Sequence, residues 1–255
     1  MALQLFSAQR DESDRPRLQA SGSFHTTHWS VVLAASEENS EGAAVALEEL
    51  CRAYWMPVFV YARRCGWNVQ SAEDLTQEFF HRLLDRGYLA QADPQKGRFR
   101  NFLLVMFKHF LANEWDRANA VKRGGRVSFI SIDQESEGSG LWMPSTNDTP
   151  DQAFARTWAL VFLERVMGRL REGQAGARQL EQFDALKHYL ISDEAAETYA
   201  QLASRLGTTE AAIKMAVQRL RQRFAAAIRE EIAHTVARPD EIEDEIRCLF
   251  AAVSQ

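Results

Sequence analysis

Between Arg98 and Arg126 the chain carries seven cations, Arg98, Arg100, Lys108, Arg117, Lys122, Arg123 and Arg126, against only Glu114 and Asp116. Arg98, Arg100, Asn101, Lys108, His109, Asn113 and Arg117 fall along or beside one strip of a helix, and Phe99, Phe102, Phe107, Phe110 and Trp115 interleave with them. Cations hold phosphates and aromatic faces stack on unpaired bases, so this mixture suits a single-stranded nucleic acid. Phe99, Phe102 and Phe110 are expected in the core, on a stripe with Leu103, Met106 and, more loosely, Phe107, whereas Trp115 fits either role. A second basic segment runs from Gln201 to Glu230, where Arg205, Lys214, Arg219, Arg221, Arg223 and Arg229 oppose Glu210 and Glu230. The surroundings are acidic, with Asp133, Glu135, Glu137, Asp148 and Asp151 before it and Asp240, Glu241, Glu243, Asp244 and Glu245 after it, and the net charge is −5. Two basic islands in an acidic chain imply two separate polyanion sites, the plainer alternative being two solvated helix faces.

The second island contains the most specific pattern, Tyr199 to Gln218. It reads as a helix ending at Leu206, a turn at Gly207 and a second helix from about Glu210. Ala203 is small where the second helix must cross, and Gly207 can take the positive φ of a tight turn. Thr208 or Thr209 caps the second helix. Leu202, Leu206, Ile213, Ala216 and Val217 face inward. Thr209, Glu210, Ala211, Lys214, Met215 and Gln218 then form an outer face suited to a major groove, with Arg219, Arg221 and Arg223 placed for phosphates. A generic helical hairpin would share the small-residue crossing.

The remaining elements are helical too. After a polar segment 1–27, expected to be disordered, Thr26 or Thr27 precedes a short helix through Trp29, Val32 and Leu33. A longer helix from about Gly42 to Arg64 buries Leu47, Leu50, Tyr54, Val58 and Tyr61, contains Pro57 and stops at Gly66. Ser71 is expected to cap the next helix, with Asp74 as its capping-box partner and Leu75, Phe79, Leu83 and Leu84 inward. Glu73, Asp74, Gln77 and Glu78 cluster near its start. The basic helix follows from about Arg98 to Asn119. Residues 126–149 are rich in Gly, Ser, Asp, Glu and Asn and read as a flexible acidic linker. Thr149-Pro150-Asp151 is a helix start, and that helix buries Phe154, Trp158, Phe162, Val166 and Leu170 until Gly173 and Gly176 interrupt it. Leu180, Phe183, Leu186 and Leu190 line another. The expected fold is all-α, with two small helical domains (28–125 and 150–236) joined by the linker, the second containing the helix-turn-helix, and a short acidic C-terminal helix in 237–255.

Composition agrees. Of 255 residues, 46% are apolar and 25% charged, the balance of a globular chain. No apolar run approaches the length of a membrane helix. The first residues lack the pattern of an export signal, and three cysteines, Cys51, Cys65 and Cys248, make no disulfide framework, so a cytoplasmic location is expected.

In order, these pieces resemble the bacterial RNA polymerase sigma factors of the extracytoplasmic-function (ECF) class. The resemblance is carried by Ser71-Ala-Glu-Asp-Leu-Thr-Gln-Glu-Phe-Phe80, by Gly97-Arg-Phe-Arg-Asn-Phe-Leu-Leu104 with Asn113-Glu-Trp-Asp-Arg117, and by the helix-turn-helix, and it covers roughly residues 28–233. It implies that Glu73, Asp74, Gln77, Glu78 and Phe79 bind core RNA polymerase, on the coiled coil of its largest subunit, with the polymerase flap as a second contact. It implies that Arg98, Arg100, Asn101, Lys108, His109, Asn113, Trp115, Arg117, Lys122 and Arg123 hold the melted −10 strand. Thr209, Glu210, Ala211, Lys214, Met215, Gln218, Arg219 and Arg221 would read the −35 duplex. The linker would thread through the polymerase. His109 and Asn113 depart from the residues common in the family, as do Met215 and Ala216, which bears on promoter sequence. Regulation would come from an anti-sigma factor or from the tail, whose Ile242, Ile246, Leu249 and Phe250 are expected to pack on a domain and cover a surface of the free protein.

Two rival readings have hooks. A helix-turn-helix repressor would act as a dimer with a ligand domain. A di-iron bundle enzyme would use Glu78-Phe-Phe-His81 and Glu231-Ile-Ala-His234, but these fall in different parts of the chain. No catalytic set, metal or cofactor is expected.

Overall fold

A computed structural model describes residues 29–36, 41–85, 88–121, 147–190 and 197–254. Within them the chain is all-α, without strands: α1 (Trp29–Ser36), α2 (Glu41–Arg64), α3 (Val69–Asp85), α4 (Phe99–Val121), α5 (Pro150–Glu172), α6 (Ala177–Leu186), α7 (Tyr199–Arg205), α8 (Glu210–Ala233) and α9 (Ile242–Val253). The segment 1–27, most of the linker, Lys122 and Arg123 lie outside the described residues. No helix among the described residues is long and apolar enough to cross a membrane.

Local signals set most boundaries. Thr149 accepts a hydrogen bond from the Gln152 amide and the Gln152 side chain answers the Thr149 amide, a complete capping box ahead of Pro150. The chain leaves α2 through Gly66 at φ +93. The start of α3 differs from the expectation. Asn68, not Ser71, terminates it: the Asn68 side chain accepts from the Ser71 amide at 2.7 Å, and α3 begins two residues earlier, at Val69. Asparagine and serine cap comparably well, and in the folded chain it is Asn68 that reaches a free amide of the first turn.

α2 is the spine, lying against α1, α3, α4 and α5. Its Tyr54, Val58, Phe59, Val60 and Ala62 are almost fully buried. Aromatic contacts tie the layers together. Phe107 of α4 meets Tyr61 of α2 at 5.8 Å, Phe79 of α3 at 4.9 Å and Phe110 at 6.0 Å, while Phe99 meets Tyr54 at 5.5 Å and Trp29 at 6.0 Å. Mixed edge and stacked ring pairs of this kind add to burial of large apolar area. Phe107, which the sequence places only loosely in the stripe, has no exposed surface and joins three helices.

The core continues across the linker. Phe154, Trp158, Phe162 and Val166 of α5 share it with α1–α4, as do Phe224, Ile228 and Ile232 of α8 and Leu249 of α9. The Trp29 amide donates to the His234 carbonyl at 3.2 Å, joining α1 to the end of α8. A smaller core gathers Phe183, Leu186, Tyr189, Leu202, Ala203, Ile213, Val217 and Leu220 from α6, α7 and the first half of α8. Among the described residues, then, the change from one core to the other runs through α8.

Removing the Phe107 ring takes contacts from three helices at once. Phe107→Ala should lower the unfolding free energy by about 3–5 kcal/mol, measured by urea denaturation; a loss below about 1 kcal/mol would mean that this ring is not the junction.

Candidate nucleic-acid interface

α7 and the first half of α8 build the first candidate surface. Thr198 and Gln201 form a second capping box at the start of α7. The chain turns through Gly207 at φ +62, with the Thr208 amide donating to the Ala203 carbonyl at 2.9 Å. Thr209 then caps α8, accepting from the Ala212 amide at 3.2 Å. Leu202, Ala203, Ile213 and Val217 are buried, and Leu206 and Ala216 partly so, on the facing sides of the pair. Thr209, Glu210, Ala211, Lys214, Met215, Gln218 and Arg219 are exposed together. Lys214 pairs with Glu210 at 2.7 Å, which raises the Lys214 pKa through the hydrogen bond first and the charge second. An i,i+4 surface pair of this kind is weak and leaves the ammonium free to exchange partners. Arg221, expected at a phosphate, is instead engaged inside the chain: its Nε and Nη2 donate to the Tyr189 carbonyl at 3.1 and 2.8 Å. It fastens α8 to the single-turn helix Lys187–Tyr189.

α4 builds the second surface. Asn101, Lys108, His109 and Asn113 are exposed on it, with Val105, which the sequence reading passed over, standing half exposed among them. Trp115 is 41% exposed and packs edge-to-face with Trp67 at 5.6 Å. Lys108 pairs with Asp151 of α5 at 2.5 Å. Arg117 pairs with Glu114 at 2.6 Å, and Glu114 also takes Arg82 of α3 at 3.0 Å.

Arg98 and Arg100 are not on this open strip. Both turn toward α9, where the fully buried Glu245 receives them. Arg98 Nε lies 2.7 Å from Glu245 Oε2, Arg100 Nη2 donates to the same oxygen at 2.9 Å, and Arg100 Nη1 contacts Oε1. The Arg100 guanidinium stacks over the Trp158 ring at 4.2 Å. Burial, and then the neighbouring Arg98 charge, push Arg100 down to about 10, so it stays cationic at neutral pH. One sequence signal for this was available: Glu245 sits within the inward stripe of Ile242, Ile246 and Leu249, where an acid is out of pattern. Phe250, expected on that stripe, is half exposed.

The acidic cluster of α3 divides. Asp74, Gln77 and Glu78 are exposed and Glu73 is half-buried, so four polar groups fall within the first three turns. Glu78 is held by Arg82 at 2.6 Å. Phe79, grouped with them from the sequence, is 3% exposed and packs against Phe80, Phe107 and Phe110, so in this arrangement it is a core residue rather than a contact. Among the described residues no three His, Cys, Asp or Glu side chains converge as a metal site. The Glu231 of the second Glu-x-x-His sequence is buried against Arg169 of α5. Burial first, and Glu48 second, push the Cys51 thiol up to about 11, which keeps it protonated and poorly nucleophilic.

No family model, no curated protein and no solved structure matches this chain.

The turn between α7 and α8 yields a direct check. A methyl group added at Gly207 would meet no atom within 4 Å, so the cost of Gly207→Ala is conformational alone. It should destabilise the fold by about 1–2 kcal/mol in thermal unfolding; an unchanged midpoint would mean the turn accepts another backbone geometry.

Proposed function

We propose that this chain is a sigma factor of the ECF class, which binds core RNA polymerase and directs promoter-specific initiation through −10 and −35 elements. The observation that carries the reading is one chain presenting two separate nucleic-acid-type faces. One is the exposed polar face of α8 behind a capped glycine turn, and the other is the cation-bearing strip of α4 with a half-exposed tryptophan. The acidic start of α3 supplies a third surface, suited to a basic protein partner. Glu210, Lys214 and Gln218 lie one turn apart on α8, the spacing that lets side chains reach successive base edges. Asn101, Lys108, His109 and Trp115 would hold splayed bases of the non-template strand.

The charge balance fits this division. A chain of net charge −5 binds duplex DNA weakly by itself. Carried by a polymerase, its two modest contacts add through effective concentration. A dimeric repressor, the rival reading, would bind duplex DNA alone and start no transcript.

The test is co-elution with core polymerase and run-off transcription from genomic templates. Asp74→Lys with Gln77→Lys should remove co-elution while circular dichroism stays unchanged, since both side chains are exposed; retained co-elution would move the docking surface off α3. Lys214→Ala and Gln218→Ala should each weaken use of the −35 element, on the order of tenfold where a base edge is contacted. Unaltered promoter choice in both would place the reading face elsewhere.

A further inference from the structure

Arg98, just ahead of α4, and Arg100 in its first turn are the cations of this segment that solvent reaches least, their side chains 25% and 11% exposed. What covers them is an oxyanion. Two guanidiniums converge on one Glu245 carboxylate, Arg100 with both of its Nη atoms, and the plane of Arg100 is fixed from behind by Trp158. A rigid two-arginine fork on paired oxygens is equally the geometry that arginine offers to a phosphodiester. The space left around this cluster, lined by Tyr54, Phe99, Trp158 and Thr235 besides the three charges, is about 10 Å³. That holds a water at most. A phosphate can therefore reach the fork only in place of Glu245, not beside it.

α9 is a 12-residue helix resting on α5 and α8, with Ile242, Ile246, Leu249 and Val253 packed on the core. It follows α8 through residues 234–241, the last three of which, Pro239–Glu241, form a single helical turn. Its first helical turn carries Glu243, Asp244 and Glu245, the helix shows a buried face of Glu245 and Leu249, and Phe250 on its other side is exposed. Beyond Glu245, it meets cations of other segments through Glu243 with Arg229 at the surface and through Cys248 Sγ, which accepts from Arg98 at 3.6 Å. We infer that Glu245 stands in for a nucleic-acid phosphate, so that α9 and a single-stranded phosphodiester backbone compete for Arg98 and Arg100. The inference rests on the reading of α4 as a strand-binding helix, and adds to it that the site is closed in the free chain and opened when α9 is displaced. By reciprocity, whatever stabilises α9 on α5 weakens strand binding by the same factor.

The experiment uses the full chain and a fluorescein-labelled mixed-sequence 12-mer of single-stranded DNA, followed by anisotropy at several salt concentrations. Glu245→Gln should bind about tenfold more tightly than the unaltered chain. Its salt dependence should be steeper by roughly 1.4 in log–log slope, the increment for two added phosphate contacts on a single strand. Arg98→Ala with Arg100→Ala on the Glu245→Gln background should cancel both gains. Because Glu245→Gln could loosen the fold, hydrogen exchange on the unaltered chain supplies a second reading: saturating oligonucleotide should speed exchange across Ile242–Val253 and leave α2 protected. Oligonucleotide bound while α9 keeps its protection, or a folded Glu245→Gln chain that binds no tighter, overturns the competition and leaves the proposed function standing. Absence of binding by every form, together with absence of polymerase co-elution, overturns both.

Discussion

A carboxylate without solvent must find opposite charge, and Glu245 finds it in two guanidiniums from the far side of the linker. The cost of burying such a charge is several kcal/mol, and its recovery depends on geometry. This makes the pair a weak source of net stability and a strong source of position. α9 can slide or rotate along its apolar stripe only by leaving Glu245 stranded. Glu231 applies the same constraint to α8, where it meets Arg169 of α5. Two buried acids from the C-terminal elements thus lock α8 and α9 onto α5 and α4, and apolar packing of Trp158, Ile232 and Leu249 fills the space those locks define.

That arrangement decides which cations face outward. α4 buries Phe99, Leu103, Phe107 and Phe110 on one side and must show its remaining sides to α5, α9 or water. Its first turn falls under α9, its middle beside the start of α5 through Lys108 and Asp151, and its end beside α3 through Glu114 and Arg82. The α7–α8 pair stands apart from this competition. α7 and the first half of α8 have their own small core, and the buried acid of α8, Glu231, lies near the other end of that helix. On the proposed reading, duplex recognition is ready-made and strand capture is conditional.

Sequence reading reached the features whose causes are local. Thr149 with Pro150, and Gly207 with Thr209, are decided within four or five residues, and the structure has each cap where the pattern puts it. The apolar stripes of α2 and α5 were equally legible, because burial on one face leaves a period. Competition between neighbours was harder. Ser71 and Asn68 both make good caps, and only the folded chain shows which amide each can reach. Phe79 follows directly on the acidic cluster, and the resemblance groups it with those surface residues, but its ring sits in the core among three others. Least legible was what joins distant segments. Arg100 and Glu245 are 145 positions apart, and nothing in the pattern around Arg100 separates it from the open cations of its helix. Arg221 is similar: its spacing places it with Arg219, and only the Tyr189 carbonyl, 32 positions away, removes it from the phosphate-facing set.

Every described cation of α4 has a carboxylate partner, and the partners differ in how readily they yield. Arg117 with Glu114 lies one turn apart at the surface, where water screens the pair and side-chain entropy opposes it. Lys108 with Asp151 is also open to solvent, though it bridges two helices. Arg98 and Arg100 share an acid that has no water to fall back on, so exchange there requires a whole helix to move. A phosphate backbone arriving at α4 would meet these pairs in order of increasing cost. It would displace the surface acids first, near Trp115, and reach Arg98 and Arg100 last. On the proposed reading, the gradient of burial along this helix would set a direction for strand capture, with each early contact raising the local concentration of phosphate at the closed end. It would also reconcile many internal ion pairs with nucleic-acid binding: the exposed pairs would be placeholders that cost little to exchange, and the buried one would act as the gate.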